Sequence, residues 1–299
     1  MTSCTENAPV LPELLTLLKL EKIEERIFRG KSQDLGFGNI FGGQVLGQGL
    51  SAVSQTVPRD RTIHSLHGYF LHPGDPTLPI LYEVDCIRDG KSFTTRRANA
   101  IQKGQVIFSL SASFQIGEPG FEHQDSPPEV PGPEGLISEL EMARRVADRI
   151  PRSVRTKLTC DRPIEIRPIN PVDPFAPSKM KPDKYAWFRA TAQMPDDPTL
   201  HKCMLAYASD FGLVGTSLYP HGHTFWEPAM QVASLDHAMW FHREFRMDQW
   251  LLYAMHSPSA CGSRGLNHGQ IFTQEGILVA SVAQEGLMRF HPEQQGSAF

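Results

Sequence analysis

The sequence predicts an α+β fold built from two tandem copies of one unit, a long helix packed on an antiparallel β-sheet. Three observations carry this. Two distant stretches, "FGGQVLGQGLSAVSQTVP" and "MLAYASDFGLVGTSLYP", are both apolar, rich in small residues and closed by proline; "HSLHGYF" follows the first and "SLDHAMWF" the second. Each copy then ends in an alternating segment, "KGQVIFSLSASFQ" or "EGILVASVAQEG". Alternation with a period of two marks a strand with one buried face. Finally, Pro58 to Pro220, His64 to Ser234 and Arg97 to Arg264 are separated by nearly constant offsets of 162 to 170 residues. A shared order at a shared offset is a duplication, and two copies are too few for a solenoid. Helix-on-sheet layers then pair about a pseudo-two-fold axis, with a cleft between the halves.

The chain has 299 residues, enough for one large domain or two of about 150. The boundaries expected are an N-terminal unit over 1–116, a connecting region over 117–159 and a C-terminal unit over 160–299. The connection announces itself by proline: twelve of the 24 fall between Pro119 and Pro182, a density that breaks regular structure. Inside it, "EGLISELEMARRVADRI" has Leu136, Leu140 and Val146 near helical spacing, which predicts one helix.

Each unit is expected to run as one helix followed by several strands. In the first, residues 41 to 56 form the helix and "RDGKSF" supplies an Asp-Gly pair suited to a hairpin. In the second, "YASDFGLVGTSLYP" reads as a buried helix with Asp210 near its middle. Aligning the closing prolines sets Gln48 opposite Asp210, and the separate offset of 170 residues sets His64 opposite Ser234. Residues 41 to 56 contain no Asp or Glu, so the first copy has no carboxylate to match Asp210.

Composition excludes several classes. Hydrophobic residues make up 40% and charged residues 21%, ordinary for a soluble globular protein. A formal charge of −4 argues against nucleic acid or an anionic membrane as the main partner. No apolar run approaches the ~18 residues of a membrane span, so no membrane insertion is expected. The five cysteines are scattered without a CxxC pair, which suits a reducing compartment and disfavours structural zinc. The N-terminus lacks a signal-peptide pattern and the chain ends "SAF", without S-K-L. A cytoplasmic location is expected.

"CGSRG" lacks the spacing of a nucleophile elbow. Seven of twelve histidines lie between His201 and His268. "HGH" (His221, His223) and "DHAMWFH" (Asp236, His237, His242) could offer ligands, yet no established metal spacing occurs. Neither metal nor cofactor is expected. "FGNIFGGQVLGQG" does not match G-x-G-x-x-G. It suits close backbone packing and a helix start, and the N–H groups there could also polarise a carbonyl or bind phosphate. "RDGKSFTTRR" gathers Arg88, Lys91, Arg96 and Arg97. A solvated strand edge is the simpler role, and a phosphate site the functional one. Asp210 is either a helix aspartate satisfied by a local donor or a buried carboxylate with a task.

Several long motifs then meet a known pattern. "FRGKSQDLGFGNIFGGQVLGQGL", "HSLHGYFLHPGD", "RDGKSFTTRRANAIQKGQ", "CDRPIEIRP", "YASD", "DHAMWFHR" and "EGILVASVAQEG" together resemble the TesB-type acyl-CoA thioesterase II family, in the same order from about Leu14 to Arg289. The resemblance implies a double hotdog fold, two long helices each wrapped by an antiparallel sheet. It implies hydrolysis of acyl-CoA to free acid and coenzyme A without metal or cofactor. The family's aspartate falls on Asp210, its serine or threonine on Ser234 and its glutamine on Gln284. Asp210 would be the base that activates water, with Ser234 and Gln284 orienting that water and helix N-terminal donors stabilising the oxyanion. Substrate contacts are expected from Gly43, His64, Arg97 and Arg264, and the assembly is expected to be a homodimer or homotetramer. Two alternatives remain at this stage: a hotdog dehydratase or hydratase using His64 with Asp210, and a non-catalytic acyl-CoA-binding regulator.

Overall fold

The computed structural model describes residues 10–294 apart from Phe37 and Pro151. Its first half begins with α1 (Val10–Leu18), β1 (Glu21–Glu24) and β2 (Ile27–Gly30), followed by α2 (Gly42–Ser54). Strands β3 (Arg61–Phe70), β4 (Ile80–Asp89), β5 (Phe93–Gln102) and β6 (Gln105–Ile116) complete it. The connecting region carries α3 (Glu139–Arg145) and α4 (Arg152–Thr159). In the second half β7 (Ile164–Ile169) and β8 (Asp183–Ala190) precede α5 (Pro198–Ala208). Then come β9 (Met230–Ser234), β10 (Asp236–Phe241), β11 (Leu251–Cys261), β12 (Arg264–Thr273) and β13 (Leu278–Phe290).

The strands form one antiparallel sheet in the order β1-β2-β4-β5-β6-β3-β10-β13-β12-β11-β8-β7, with β9 added on β13. Read outward from the β3–β10 pair, each half repeats the same strand sequence. The two half-sheets join edge to edge, Asp236 opposite Tyr69 and Trp240 opposite Ser65. This is the double hotdog, α+β architecture expected from the sequence. One expectation changes: two strands precede each long helix, because β2 must pair with β4 and β8 with β11 to extend the sheet.

Both central helices are buried almost all round. In α2 the buried set runs from Gly43 to Leu50 and includes Ala52 and Val53; in α5 it runs from His201 to Ala208. A helix apolar on every face belongs inside, and burial here overrides the poor helix propensity of the glycines in α2. Two of those glycines explain themselves. A Cβ at Gly43 would lie 2.2 Å from the Tyr207 carbonyl oxygen, and one at Gly47 would lie 2.9 Å from that of Cys203. The helices cross too closely for any side chain there. Leu46 and Leu50, fully buried, fill the same core, where truncating a leucine typically costs about 2–5 kcal/mol.

The register reveals how the halves correspond. The β3–β6 ladder shifts by one residue between Ile63 and Ser65. The partners of β13 show the same single shift, between Ser234 on β9 and Ala238 on β10. Matching the shifts sets Ile63, paired with Phe114, against Ser234, paired with Gly286. His64 is the shifted residue and corresponds to Leu235, not to Ser234. On the neighbouring strands Ala98 pairs Leu110 and Asn267 pairs Gln284; continuing that register sets Ala112 against Gln284 and Arg97 against His268, not Arg264. The proline alignment also fails for Gln48. Helix α2 is continuous through Ser54. The second half breaks after Ala208, and a 3-10 segment from Val214 to His221 then leads past Pro220.

The connecting region is not one helix. Leu136 lies before α3 and, with Val130, packs on the cluster of Ile169, Trp187, Leu252, Phe272 and Leu278. The Trp187 indole N–H donates to the Pro131 carbonyl at 2.8 Å. Among the described residues no helix is long and apolar enough to cross a membrane.

Candidate active site

Asp210 does not sit in mid-helix. Helix α5 starts at a well-made cap, where Asp197 accepts from the N–H groups of Thr199 and Leu200 and Pro198 occupies the first turn. It ends at Ala208, with Ser209 as the cap residue. Gly212, at φ +73°, then turns the chain through a left-handed conformation that glycine adopts without strain. Asp210 lies between these two points, in the break, with its side chain only 5% exposed.

Three donors meet the carboxylate. Gln284 Nε2 donates to Oδ1 at 2.7 Å, and Ser234 Oγ donates to the same oxygen at 3.2 Å. The Gly43 backbone N–H donates to Oδ2 at 2.9 Å from the other half of the molecule. Ser234 and Gln284 can converge because β9 and β13 are paired, Ser234 opposite Gly286. Gly43 contributes because α2 has no side-chain cap of its own, so Asp210 caps it from across the seam. Gly42 must be small as well: a Cβ there would lie 2.6 Å from Asp210 Oδ2.

Burial raises the pKa of Asp210, while the hydrogen bonds from Gln284, Ser234 and Gly43 pull it back. The positive end of the α2 dipole adds to the same pull. The result is a carboxylate that binds a proton more readily than an exposed one yet is held where its charge is tolerated. That balance suits a general base.

A fourth group was not read as part of this site from the sequence. His237 is fully buried on β10. Its Nδ1 lies 3.0 Å from Gln284 Nε2 and its Nε2 lies 2.9 Å from Ser209 Oγ. Asp210 Oδ1 stands 4.0 Å from Nδ1. The signal was present: period two along "DHAMWF" puts His237 on the inward face with Met239 and Phe241, and a buried imidazole needs partners.

The remaining candidates lie elsewhere. His64 bonds Ser113 Oγ at 2.9 Å and meets Phe93 edge to face, all within the first half. Arg97 is exposed and paired with Asp85 at 2.7 Å. Arg264 pairs with Glu285 at 2.9 Å; Glu285 follows Gln284 on β13 and so points to the opposite face. Arg96 is buried and structural, bonding the Thr56 carbonyl at 3.1 Å and Asp89 at 2.7 Å. Gln48 is structural too: it donates to the carbonyls of Leu17 and Lys31 at 2.7 and 2.9 Å, and accepts from Tyr82 at 2.8 Å. The second-half histidines scatter to separate partners. His223 meets Glu227, His242 meets Ser281 and His256 meets Asp183. Among the described residues no three His, Cys, Asp or Glu side chains are grouped to hold a metal.

Two hotdog units joined edge to edge, with a buried carboxylate at their seam, define the class as the double hotdog proteins. The chain belongs to the acyl-CoA thioesterase family. Residues 153–287 match the family described as acyl-CoA thioesterase, and residues 32–115 match its N-terminal domain. It is 46% identical to acyl-CoA thioesterase 2 of Haemophilus influenzae, over 94% of this chain and 98% of that protein. It is 41% identical to human acyl-coenzyme A thioesterase 8, over 93% of this chain and 89% of that one. Acyl-CoA thioesterase II TesB2 of Mycobacterium marinum shares the fold, with a TM-score of 0.74 at 43% identity, over 92% and 97% of the two chains.

Proposed function

We propose that the protein hydrolyses acyl-CoA thioesters to free acid and coenzyme A, with Asp210 as general base and Ser234 and Gln284 as orienting groups. The observation that carries this is the convergence of three donors from both halves on one buried carboxylate. A cap alone would need only Oδ2; Oδ1 collects Ser234 and Gln284 besides.

The step balances simply. Water oxygen forms a bond to the thioester carbonyl carbon as Asp210 takes its proton. The tetrahedral intermediate collapses, the C–S bond breaks, and the thiolate leaves and receives the proton from Asp210. The α2 N-terminus, aimed at the site through Gly43, favours the negative charge that develops there. Ser234 is assigned the orienting role, its hydroxyl donating to Asp210 Oδ1 at 3.2 Å, and the labelling experiment below separates this from attack by Ser234 itself. Binding is assigned to a cleft at the seam; Arg97 and Arg264, both exposed, are the candidates to meet coenzyme A phosphates from the surface.

The dehydratase alternative loses its acid/base pair in this geometry, because His64 lies away from Asp210. His237 is near, but both its ring nitrogens face protein partners. Release of free thiol from acyl-CoA, read with a thiol reagent, tests the proposal. Retention of the thioester with formation of a hydrated or dehydrated product would overturn it. A substrate labelled in the acyl group, quenched rapidly, should leave no label on the protein; stoichiometric label on Ser234 would replace the direct-water mechanism with a covalent one.

The units over 1–116 and 160–299, joined by 117–159, are taken as the two hotdog domains. We infer a cytoplasmic homodimer or homotetramer. Free cysteines at Cys86, Cys203 and Cys261 suit a reducing compartment. Exposed Tyr69, Leu71 and Trp240 near the β3–β10 seam suit contact with a second copy. Light scattering on the purified chain gives the assembly.

A further inference from the structure

We propose that His237 is a positioning residue for hydrolysis, holding the Gln284 amide in the one orientation that presents an N–H to Asp210. This rests on the roles assigned to Asp210 and Gln284 above.

The two ends of a glutamine amide have nearly the same shape, so packing alone does not choose between them. Flipped, the amide would set Oε1 against Asp210 Oδ1, two acceptors face to face at the 2.7 Å now spanned by a hydrogen bond. The choice is relayed from the last turn of α5. The Ala206 carbonyl accepts the Ser209 hydroxyl hydrogen at 3.0 Å. Met239 Sδ also lies 3.3 Å from Ser209 Oγ, but a thioether is the weaker acceptor, and the single hydroxyl hydrogen spent on either leaves Ser209 Oγ to accept from His237 Nε2–H at 2.9 Å. A neutral imidazole protonated at Nε2 has a bare lone pair at Nδ1, and that lone pair accepts from Gln284 Nε2 at 3.0 Å. The other amide hydrogen goes to Asp210. Both hydrogens are thereby committed, and Gln284 Oε1, buried without a protein donor, is the amide's remaining acceptor.

The relay works only while His237 stays neutral. A proton on Nδ1 would oppose the amide donor. Burial keeps the ring neutral, lowering its pKa to about 3. Tyr253 anchors the relay's start, donating to the Ser209 carbonyl at 2.9 Å.

The test is the kinetics of full-length His237→Leu, His237→Asn, Gln284→Ala and the Leu/Ala double variant on one acyl-CoA substrate. Leu keeps bulk and removes the acceptor; Asn keeps an oxygen near the Nδ1 position. Losing a hydrogen bond to an ionised or buried group corresponds to roughly a 10- to 100-fold effect. His237→Leu should therefore lower kcat about as much as Gln284→Ala, with KM within about twofold. His237→Asn should recover most of the loss. The double variant should be no worse than Gln284→Ala, since both remove one interaction. Normal kcat in His237→Leu beside an impaired Gln284→Ala overturns the role of His237 alone. Normal kcat in Gln284→Ala overturns the assignment of Gln284 itself. Equal impairment by Leu and Asn reduces His237 to packing. If Leu does not fold at this position, the ¹⁵N-histidine spectrum of the unmodified protein decides: an imidazole protonated at Nε2 is expected, and a proton on Nδ1 overturns the proposal.

Discussion

The two halves share strand order, sheet register and a one-residue shift at the same point of the same ladder, yet they carry different chemistry. Where the second half has Ser234 and Gln284, the first has Ile63 and Ala112. Where the second breaks its central helix at Asp210, the first continues α2 to Ser54. The first half contributes the N-terminus of that unbroken helix, and the second supplies the carboxylate that caps it. The scaffold is thus repeated while these polar positions differ between the copies, and the proposed site draws on both.

The largest expected effect tests this division directly. Asp210→Asn should lower kcat by ~10²–10⁴-fold, the usual worth of a general base. It should remove nearly all activity, with a non-hydrolysable acyl-CoA analogue binding one per chain by calorimetry. A residual rate near half that of the unmodified enzyme would mean a second working site in the first half.

Removing an orienting group should cost less. Ser234→Ala and Gln284→Ala are each expected to lower kcat by about 10- to 100-fold, the equivalent of one hydrogen bond to a charged group. Their effects should not add, because both act on the same carboxylate oxygen. Steady-state kinetics of the single and double variants checks this.

The matching experiment in the first half should read out in stability instead. Gln48→Ala leaves the buried Tyr82 hydroxyl and the Leu17 carbonyl without this partner, at about 1–3 kcal/mol for each group left unsatisfied, while the Lys31 carbonyl keeps the Gln44 amide at 3.1 Å. Denaturant unfolding should show the loss, while kcat per folded molecule stays close to normal. A large fall in kcat with unchanged stability would give Gln48 a catalytic role after all.

The smallest effect is one of pH. The folded-state pKa of Asp210 is raised, so its ionisation opposes folding, and the cost appears as pH rises through that value. The stability of Asp210→Asn relative to the unmodified protein should therefore improve from acid towards neutral pH. The acid limb of kcat/KM should lie above the ordinary carboxylate range for the same reason. His237 works in the opposite sense. Its lowered pKa means that stability present above ~6.5 is lost as pH falls towards about 3. Unfolding curves of the Asp210 and His237 variants across pH separate the two contributions.

Much was legible in the sequence because it is local or periodic. Alternation gave β6 and β13, and the Asp-Gly pair closes β4 and opens the turn to β5. The density of small residues in α2 pointed to close backbone packing, which Gly43 and Gly47 provide. The duplication could be seen, but its register could not. Prolines and short motifs mark where chains turn and do not count strand residues, so aligning Pro58 with Pro220 mismatched Gln48, and the motif offset mismatched His64. A repeat with unequal loops needs its ladders before its residues can be matched.

By itself, then, the sequence determined the elements, their repeated order and the presence of one buried carboxylate, because hydrophobic period and turn chemistry act over a few residues. Only the tertiary structure decided what that carboxylate touches. Asp210 is separated from Gly43 by 167 residues and from Gln284 by 74, and His237 enters through a side-chain relay rather than a motif. Hydrogen bonds hold over about 3 Å, so groups so far apart in sequence become partners only once the two half-sheets have joined and the helices have crossed.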